Sequence, residues 1–331
     1  MVIKMKKIRW GIIGTGTIAK KFAGTLGYLS DECEFVGVAS RSIENAEAFA
    51  KQYGAKKAFG SYQELAQSAD IDAVYIATPH NSHYENSLLC LKNNKHVLCE
   101  KSFTIDVSQA EYLFKQASDN GLFIMEAFWT KFLPAYAEIH KILNSGQLGD
   151  VVNIAADFGI NPPGSRNDRK INPELAGGAL YDVGIYVIGI TCMLLGYEPK
   201  SVVSNAVLSD GGVDLSSFYF MQYESGQVAL LSSSVEALSR QQAVIQCKNG
   251  YIVIDTPHAA NGFTVYQNDN KKEYNFPFDF DGFEYQLRHT NDCIRQGKTA
   301  SDIMKPHDTI AVLKIMDNMR KEWGMKFPFE I

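Results

Sequence analysis

Three polar side chains in this sequence are of types that carry out acid and base chemistry. Lys101 follows the apolar run HVLCE directly, beside Glu100, where a cationic amine can reach a bound oxygen. Asp182 and Tyr186 lie four residues apart in ALYDVGIY, so a helix places them on one face. A carboxylate and a phenol in an apolar helix need hydrogen-bonding partners or a functional role. Because an ammonium favours the ionised form of a nearby phenol, Tyr186 beside Lys101 would serve as a general acid and base.

Each of these residues also has a structural interpretation. A single lysine after a strand is usually a surface residue, and a tyrosine in an apolar helix is more often part of the core. The assignment therefore depends on what surrounds these residues in the sequence.

A glycine-rich turn stands near the start of the chain, in RWGIIGTGTIAKKF. Gly14, Gly16 and Ala19 fit the pattern G-x-G-x-x-A between an apolar strand and an amphipathic helix. The first glycine permits the tight turn, the second lets the backbone approach a pyrophosphate, and the alanine lets the helix pack on the strand. This context favours a dinucleotide site over a mere turn. The residues expected to hold the cofactor are Gly14, Thr15, Gly16, Thr17 and Ile18.

The choice of dinucleotide depends on the end of the second strand, EFVGVAS. The acidic residues Asp31, Glu32 and Glu34 precede or begin this strand, at the wrong edge of the sheet to bind a ribose. Ser40 and Arg41 end it, and a hydroxyl with a guanidinium suits a 2′-phosphate. The sequence therefore predicts a preference for NADP, with NAD as the alternative cofactor. An exposed arginine without a ligand is the other interpretation of Arg41.

Two further turns follow strands at their carboxyl ends, where open parallel sheets bind ligands. They are TPHNSH and CEKS. A turn-bonding role is favoured for either histidine, although both could face the cofactor. The cofactor-side residues expected here are Thr78, Pro79, His80, His83, Glu100 and Lys101.

Strand-like runs alternate with helical segments up to about residue 127. The runs are IRWGII, EFVGVAS, DAVYIAT, HVLCE and LFIMEA. This alternation predicts a doubly wound α/β Rossmann domain with a parallel sheet at 1–126. Alternating strands then dominate, with helices predicted at 134–143, 181–195, 283–294 and 308–323. They predict a second α+β domain with a largely antiparallel open sheet, at 127–331, for substrate binding and oligomerisation.

Composition excludes several classes of protein. The chain has 331 residues, 46% hydrophobic residues and a net charge of −5, which argues against a nucleic-acid surface. Its longest uncharged run, at 183–197, is shorter than the roughly 20 residues of a membrane span. The six cysteines form no C-x-x-C and show no flanking histidine at metal spacing. We therefore expect a cytoplasmic protein with reduced thiols, no bound metal and no membrane contact.

Several motifs together resemble a known family, the Gfo/Idh/MocA oxidoreductases. GIIGTGTIA, TPHNSH, CEKS, MEAFWTKFLPA and PELAGGALYDVGIY resemble its successive motifs, in order, from about residue 7 to 195. FGSYQELA, LFIMEAFWTKFLPA and GGALYDVGIY are most similar to the branch of dimeric dihydrodiol dehydrogenases and glucose-fructose oxidoreductases.

The resemblance implies roles for several residues. Lys101 takes the place of the lysine in the family's E-K-P motif, which contacts the nicotinamide end and the substrate. Tyr186 takes the proton-donor position, and Asp182 would orient the substrate or the acid. Trp129 and Lys131 match positions near the substrate pocket. The resemblance also implies a homodimer or higher oligomer, paired through the open face of the second sheet.

The sequence departs from the family pattern at Ser102, where the family has proline after the lysine. Serine leaves an N–H that proline lacks, so the preferred loop geometry is in doubt. The loop NPPGSRNDRKIN is unusually basic, so Arg166, Arg169 or Lys170 could contact an anionic substrate; solvated loop charges are the favoured alternative.

The expected function is hydride transfer between NADP(H) and a carbinol or carbonyl carbon of a sugar or cyclic diol. Tyr186, assisted by Lys101, would move the hydroxyl proton, and the small-molecule substrate would be a polyol or ketone. Two alternatives remain open: a dinucleotide-sensing regulator of the same fold without turnover, and an NAD-dependent polyol dehydrogenase.

Overall fold

The computed structural model describes residues 6–161 and 169–330, which form two compact units. The first unit contains the described residues up to Trp129 together with Asp279–Thr309, and the second contains Thr130–Phe278 and the chain from Ile310 onwards. The sequence predicted one boundary, between 126 and 127, whereas the chain returns to the first unit at 279–309. One contact that holds this segment in the first unit is the hydrogen bond from Trp10 Nε1 to Asn291 Oδ1, over 2.9 Å.

The regular elements are numbered in chain order. The strands are β1 (Ile8–Ile13), β2 (Cys33–Ala39), β3 (Lys57–Phe59), β4 (Ala73–Ile76), β5 (His96–Glu100), β6 (Ile124–Ala127), β7 (Val151–Gly159), β8 (Ser201–Leu208), β9 (Asp214–Gln222), β10 (Val228–Ser234), β11 (Gln242–Cys247), β12 (Gly250–Asp255), β13 (Gly262–Gln267) and β14 (Asn270–Asn275). The α-helices are α1 (Thr17–Tyr28), α2 (Ile43–Tyr53), α3 (Tyr62–Gln67), α4 (His83–Lys92), α5 (Val107–Asp119), α6 (Pro134–Asn144), α7 (Ile185–Leu195), α8 (Phe283–Arg295) and α9 (Pro306–Glu322).

The first unit contains a six-stranded parallel sheet in the order β3-β2-β1-β4-β5-β6. Its central strands are buried on both faces, as continuous apolar runs require. Ser42, Ser61 and Asp106 accept backbone N–H hydrogen bonds that cap α2, α3 and α5. The predicted Rossmann sheet is confirmed. The sequence missed β3, because it has three residues and none of them is fully buried.

The second unit contains an eight-stranded sheet in the order β14-β13-β12-β11-β7-β10-β9-β8. Every neighbouring pair is antiparallel except β7 and β10, which are parallel. This confirms the predicted, largely antiparallel sheet. The sequence analysis missed the hairpin of β13 and β14, since β14 is polar along its length (NKKEYN) and exposed at five of its six positions.

Helix α7 packs on β7 and β10 and forms the core of the second unit. The sequence predicted one helix at 181–195; the structure has a π-helical segment, Leu180–Gly184, that continues into α7. The helical stretch Pro173–Leu195 is long and apolar enough to cross a membrane by length and composition alone, but 83% of its most apolar window is buried inside the protein. This burial is typical of a core helix.

Candidate functional site

The glycine turn between β1 and α1 has the geometry of a phosphate cradle. Gly14 has φ +104° and donates from its backbone N to Ala39 O over 3.0 Å. A Cβ on Gly14 would lie 2.7 Å from Ala77 O, so the turn excludes every side chain here. Gly16 precedes α1 without a side-chain cap, and the space where its Cβ would lie is open. The N-terminus of a 12-residue helix therefore faces room for a pyrophosphate.

The residues of the glycine turn differ in their exposure to solvent. Gly16 and Thr17 are exposed, while Thr15 and Ile18 are partly buried. The first turn of α1 contains no acidic side chain to repel an anion. These residues fit the dinucleotide that the sequence predicted.

Ser40 and Arg41 directly follow the end of β2. Ser40 is buried and its backbone N donates to Phe59 O over 3.2 Å, which fixes the chain there. Arg41 is exposed. The nearest following carboxylate, Glu44, accepts a hydrogen bond from Ser42 Oγ over 2.6 Å. Thus a cation is the first charged group after β2, as a 2′-phosphate would require.

His83 joins two loops of the first unit. It is fully buried, with Nδ1 2.8 Å from Ser102 O and Nε2 2.9 Å from Thr78 O. His80 is 4% exposed and its ring meets that of His83 edge-on. Both ring nitrogens of His83 thus lie within hydrogen-bond distance of carbonyl oxygens, and the ring positions the loop after β4 against the loop after β5. Pro79 has an extended backbone and directly precedes the 3-10 turn His80–Ser82, which lies between Thr78 and His83.

Lys101 lies beside two buried carboxyl groups. Glu100 is 5% exposed and accepts hydrogen bonds from the Tyr75 hydroxyl and from Lys101 N. Glu126, one strand away, accepts from Phe103 N over 3.1 Å and from Thr309 Oγ1 over 2.9 Å. Burial raises the pKa of Glu126 to about 7, and Glu100 adds to the rise while Lys101 opposes it.

The sequence analysis treated Glu126 only as a domain boundary. A signal was nevertheless present, because a carboxylate in the apolar run IMEA needs partners. The register pairs Cys99 with Glu126 near the carboxyl ends of β5 and β6, the ligand-binding edge of the sheet, and Glu100 is close enough to add to the rise in the pKa of Glu126.

The second unit holds Asp182 and Tyr186 on the buried helical stretch. Tyr186 is 9% exposed and its ring packs against Phe158 and His258, at centroid distances of 5.6 and 5.4 Å. Asp182 is 6% exposed, and Arg169 Nη2 lies 3.5 Å from its Oδ1. The basic loop thus supplies a cation to Asp182.

The backbone of Lys170, in the same loop, contacts the glycines that precede the π-helical segment. Lys170 O accepts a hydrogen bond from Gly178 N over 2.6 Å, so its backbone helps to seat the glycine pair before the π-helical segment. Arg166 lies outside the described residues.

A buried carboxyl group anchors the start of this helical stretch. Asp214 accepts hydrogen bonds from Leu180 N over 2.8 Å and from the Ser217 hydroxyl. Burial raises its pKa to about 6. A Cβ on Gly184 would lie 2.6 Å from the Tyr219 hydroxyl, so glycine lets the π-helical segment approach the sheet. The sequence analysis missed Asp214, whose strand shows no motif.

Trp129 and Lys131, predicted to lie near the substrate pocket, belong to different units. Trp129 is 5% exposed, packs against Phe283 and carries Lys21 Nζ 4.0 Å above its ring. Lys131 Nζ donates to the Tyr197 hydroxyl over 2.8 Å. Each residue is therefore held inside its own unit.

Comparison with known proteins identifies both units. The profile of an oxidoreductase family with an NAD-binding Rossmann fold matches residues 8–128, and that of the GFO/IDH/MocA C-terminal domain matches residues 136–253. The chain is 34% identical to trans-1,2-dihydrobenzene-1,2-diol dehydrogenase of Xenopus tropicalis, covering 97% of this chain and 99% of the relative. The human enzyme of the same name is 30% identical, with coverage of 97% and 98%.

Solved structures of similar proteins share the fold. A 3-ketoreductase from Actinomadura kijaniata, in complex with NADP and TDP-benzene, is 25% identical and has a TM-score of 0.88, covering 96% of this chain and 98% of its own. An aldose-aldose oxidoreductase from Caulobacter crescentus, 22% identical, has a TM-score of 0.86 with coverage of 96% and 97%. The resemblance seen in the sequence motifs is thereby confirmed, and the chain belongs to the Gfo/Idh/MocA family of NAD(P)-dependent oxidoreductases.

Proposed function

We propose that this protein is an NADP(H)-dependent oxidoreductase acting on a carbinol or carbonyl carbon of a sugar or cyclic diol. The observation that carries the proposal is the edge of the first sheet, where the Gly14 turn, Arg41 and Lys101 follow the ends of β1, β2 and β5. Ligands bind at this edge in doubly wound sheets. The names of the similar proteins supply the substrate class: a cyclic dihydrodiol for the dehydrogenase, a ketone for the 3-ketoreductase and an aldose for the aldose-aldose oxidoreductase.

The bound nicotinamide would supply or accept the hydride. The chain's own residues would handle the proton and the orientation. Tyr186 is the proposed acid and base at the substrate hydroxyl, and Lys101 is the cation that assists it. Asp182 would orient the substrate or Tyr186, and Arg169 Nη2 lies 3.5 Å from its Oδ1 as an ion-pair partner.

The environment of Lys101 supports a positioning role for its loop. The backbone N of Lys101 donates a hydrogen bond to the Glu100 carboxylate, and His83 Nδ1 lies 2.8 Å from the carbonyl oxygen of the next residue, Ser102. These contacts fix the backbone on both sides of Lys101 without the proline that the family pattern has. Solved variants of the Actinomadura kijaniata enzyme, with a lysine or a tyrosine replaced, bind NADP and TDP-benzene as well. Those two residue types are the ones that this proposal assigns to catalysis.

Assembly into a homodimer or higher oligomer is proposed through the open face of the second sheet. Val203, Phe220 and Leu230 pair across β8, β9 and β10 and are 65%, 37% and 56% exposed. Phe218 and Val207 extend the same exposed apolar surface. A contiguous apolar patch on a sheet face is typical of a protein–protein interface.

Cofactor preference is the first experiment. Dissociation constants for NADP and NAD would be measured by fluorescence titration for the wild type and Arg41→Ala. We expect tighter NADP binding by the wild type and a loss of at least about tenfold in that preference in the variant, because one charge-assisted phosphate contact is removed. Arg240→Ala, at an exposed arginine of the second unit, is the control. Tighter binding of NAD by the wild type would contradict the proposed preference.

Substrate class is tested by a panel. NADPH consumption would be followed with sugar-derived ketones, and NADP reduction with sugars, anhydrosugars and trans-dihydrodiols. Turnover with any of them supports the proposal. Tight NADPH binding with no turnover across the panel would instead favour the dinucleotide-sensing alternative.

A further inference from the structure

A cluster of metal-ligating side chains lies in the first unit, on α8 and the loop that follows it. His289 Nε2 lies 3.4 Å from Cys293 Sγ and 3.7 Å from Asp302 Oδ1. The three ligand atoms all lie within 4.8 Å of one another. His289 and Cys293 are four residues apart and share one helical face. The expectation that no cysteine has a histidine at metal spacing is therefore wrong for Cys293.

The distances are close to those between ligands of one metal ion. Zinc bonds of about 2.0 Å to nitrogen and oxygen and about 2.3 Å to sulfur, at tetrahedral angles, separate a nitrogen from a sulfur ligand by about 3.5 Å and a nitrogen from an oxygen ligand by about 3.3 Å. The 3.4 Å from His289 Nε2 to Cys293 Sγ agrees with the first separation. The 3.7 Å from His289 Nε2 to Asp302 Oδ1 must shorten by about 0.4 Å, a shift that the exposed Asp302 side chain can make.

We propose that His289, Cys293 and Asp302 bind a divalent transition metal ion of the zinc class, with one coordination position left for water. An imidazole, a thiolate and a carboxylate together suit zinc or cobalt, whereas magnesium and calcium prefer oxygen ligands alone. Asp302 has a side chain that is 66% exposed, so the ion has a route from solvent. Cys293 is 1% exposed and closes the inner side of the site.

Binding exchanges contacts that are already present. Ser301 Oγ lies 2.7 Å from His289 Nε2, and Lys298 Nζ lies 3.1 Å from Asp302 Oδ2. Burial lowers the pKa of His289, so the neutral imidazole that a metal requires is the favoured form. Burial raises the pKa of Cys293 to about 11, so its thiol gives up a proton to solvent when the metal–sulfur bond forms. Lys298 competes with the metal for Asp302.

The site would fasten α8 to the loop at 296–305. Helix α8 also reaches β1 through Asn291 and Trp10, and Arg288 Nε donates to Glu32 Oε1 over 3.0 Å. A metal here would therefore stabilise the segment Asp279–Thr309 of the first unit. The effect is on stability, and Lys101 and Tyr186 are not part of it.

Cobalt titration of the untagged, chelator-treated full-length protein tests the proposal. Cobalt replaces zinc in such sites and reports a thiolate ligand by a near-ultraviolet charge-transfer band. We expect one ion per chain, with this band and intense visible bands of tetrahedral cobalt. Cys293→Ser should abolish the charge-transfer band, while Cys247→Ser, at a partly buried cysteine outside the cluster, should retain it.

Asp302→Asn is the second variant, because an exposed side chain can be replaced without loss of the fold. It should weaken cobalt binding by at least about tenfold, and Lys298→Ala should strengthen it. A wild type without the charge-transfer band overturns the proposal. So does a band that survives in Cys293→Ser, or an affinity that is unchanged in Asp302→Asn.

Discussion

Glu126→Gln is expected to remove a pH dependence from the stability of the first unit. Glu126 is 2% exposed and accepts hydrogen bonds from Phe103 N and Thr309 Oγ1. A glutamine can keep both contacts, since its carbonyl oxygen accepts from the backbone and its amide group faces the hydroxyl. The substitution therefore changes ionisation and leaves the packing nearly unchanged.

The sign and size follow from the raised pKa. Burial shifts the pKa of Glu126 from 4.5 to about 7. The protonated group stabilises the fold fully below pH 4.5, and that stability is lost as the pH rises through 7. The difference between the pKa of Glu126 in the folded and unfolded states corresponds to about 3 kcal/mol of stability, at roughly 1.4 kcal/mol for each tenfold change in proton affinity. About 2 kcal/mol of this stability is lost between pH 5 and pH 8.

Urea unfolding of the wild type and the variant, followed at several values between about pH 5 and pH 8, measures this difference. We expect the stability of Glu126→Gln relative to the wild type to rise by about 2 kcal/mol over this range. Glu111→Gln, at an exposed position on α5, is the matched control and should show no such trend. Parallel stability curves for the wild type and Glu126→Gln would refute the reasoning.

Two further predictions concern the cofactor and the assembly. Gly16→Ala should keep the wild-type melting temperature and weaken NADP binding by at least about tenfold, whereas Gly14→Ala should also lower the melting temperature, because its Cβ meets Ala77 O. Thermal unfolding and nucleotide titration of both variants check this prediction. Equal NADP affinity in Gly16→Ala and the wild type would contradict it. Phe218→Glu should shift the protein to monomers in sedimentation velocity. Leu238, which is 75% exposed and lies outside the sheet, is the control position, and Leu238→Glu should cause no such shift. A monomeric wild type would contradict the proposed interface.

The sequence predicted most of the fold because its signals are local. Parallel strands buried on both faces read as apolar runs, and the runs at β1, β2, β4, β5 and β6 were all found. Strand β3 and the hairpin of β13 and β14 were missed, since a three-residue or wholly polar strand is defined by its neighbours and not by its own pattern. The return of α8 to the first unit was missed for the same reason. It depends on contacts between residues that are far apart in sequence, such as Trp10 and Asn291.

The candidate site was predicted where motifs carry a backbone requirement. Gly14 and Gly16 have the geometry that their pattern implies. Glu126 and Asp214 were missed, because a buried carboxyl group is recognised only when its partners are known. The π-helical segment before α7 was also missed, since its hydrophobic pattern is that of an ordinary buried helix. The roles of Lys101, Tyr186 and Asp182 stay predictions.

The most direct test of the proposed catalysis is turnover by Lys101→Ala, Tyr186→Phe and the double variant, measured as NADPH oxidation with a substrate that the wild type reduces. The account predicts that each single substitution lowers kcat by about 100-fold or more, and that the double variant is little worse than the slower single variant, because the two residues act as one unit. Near-normal turnover in both single variants, with NADPH still bound, would contradict it.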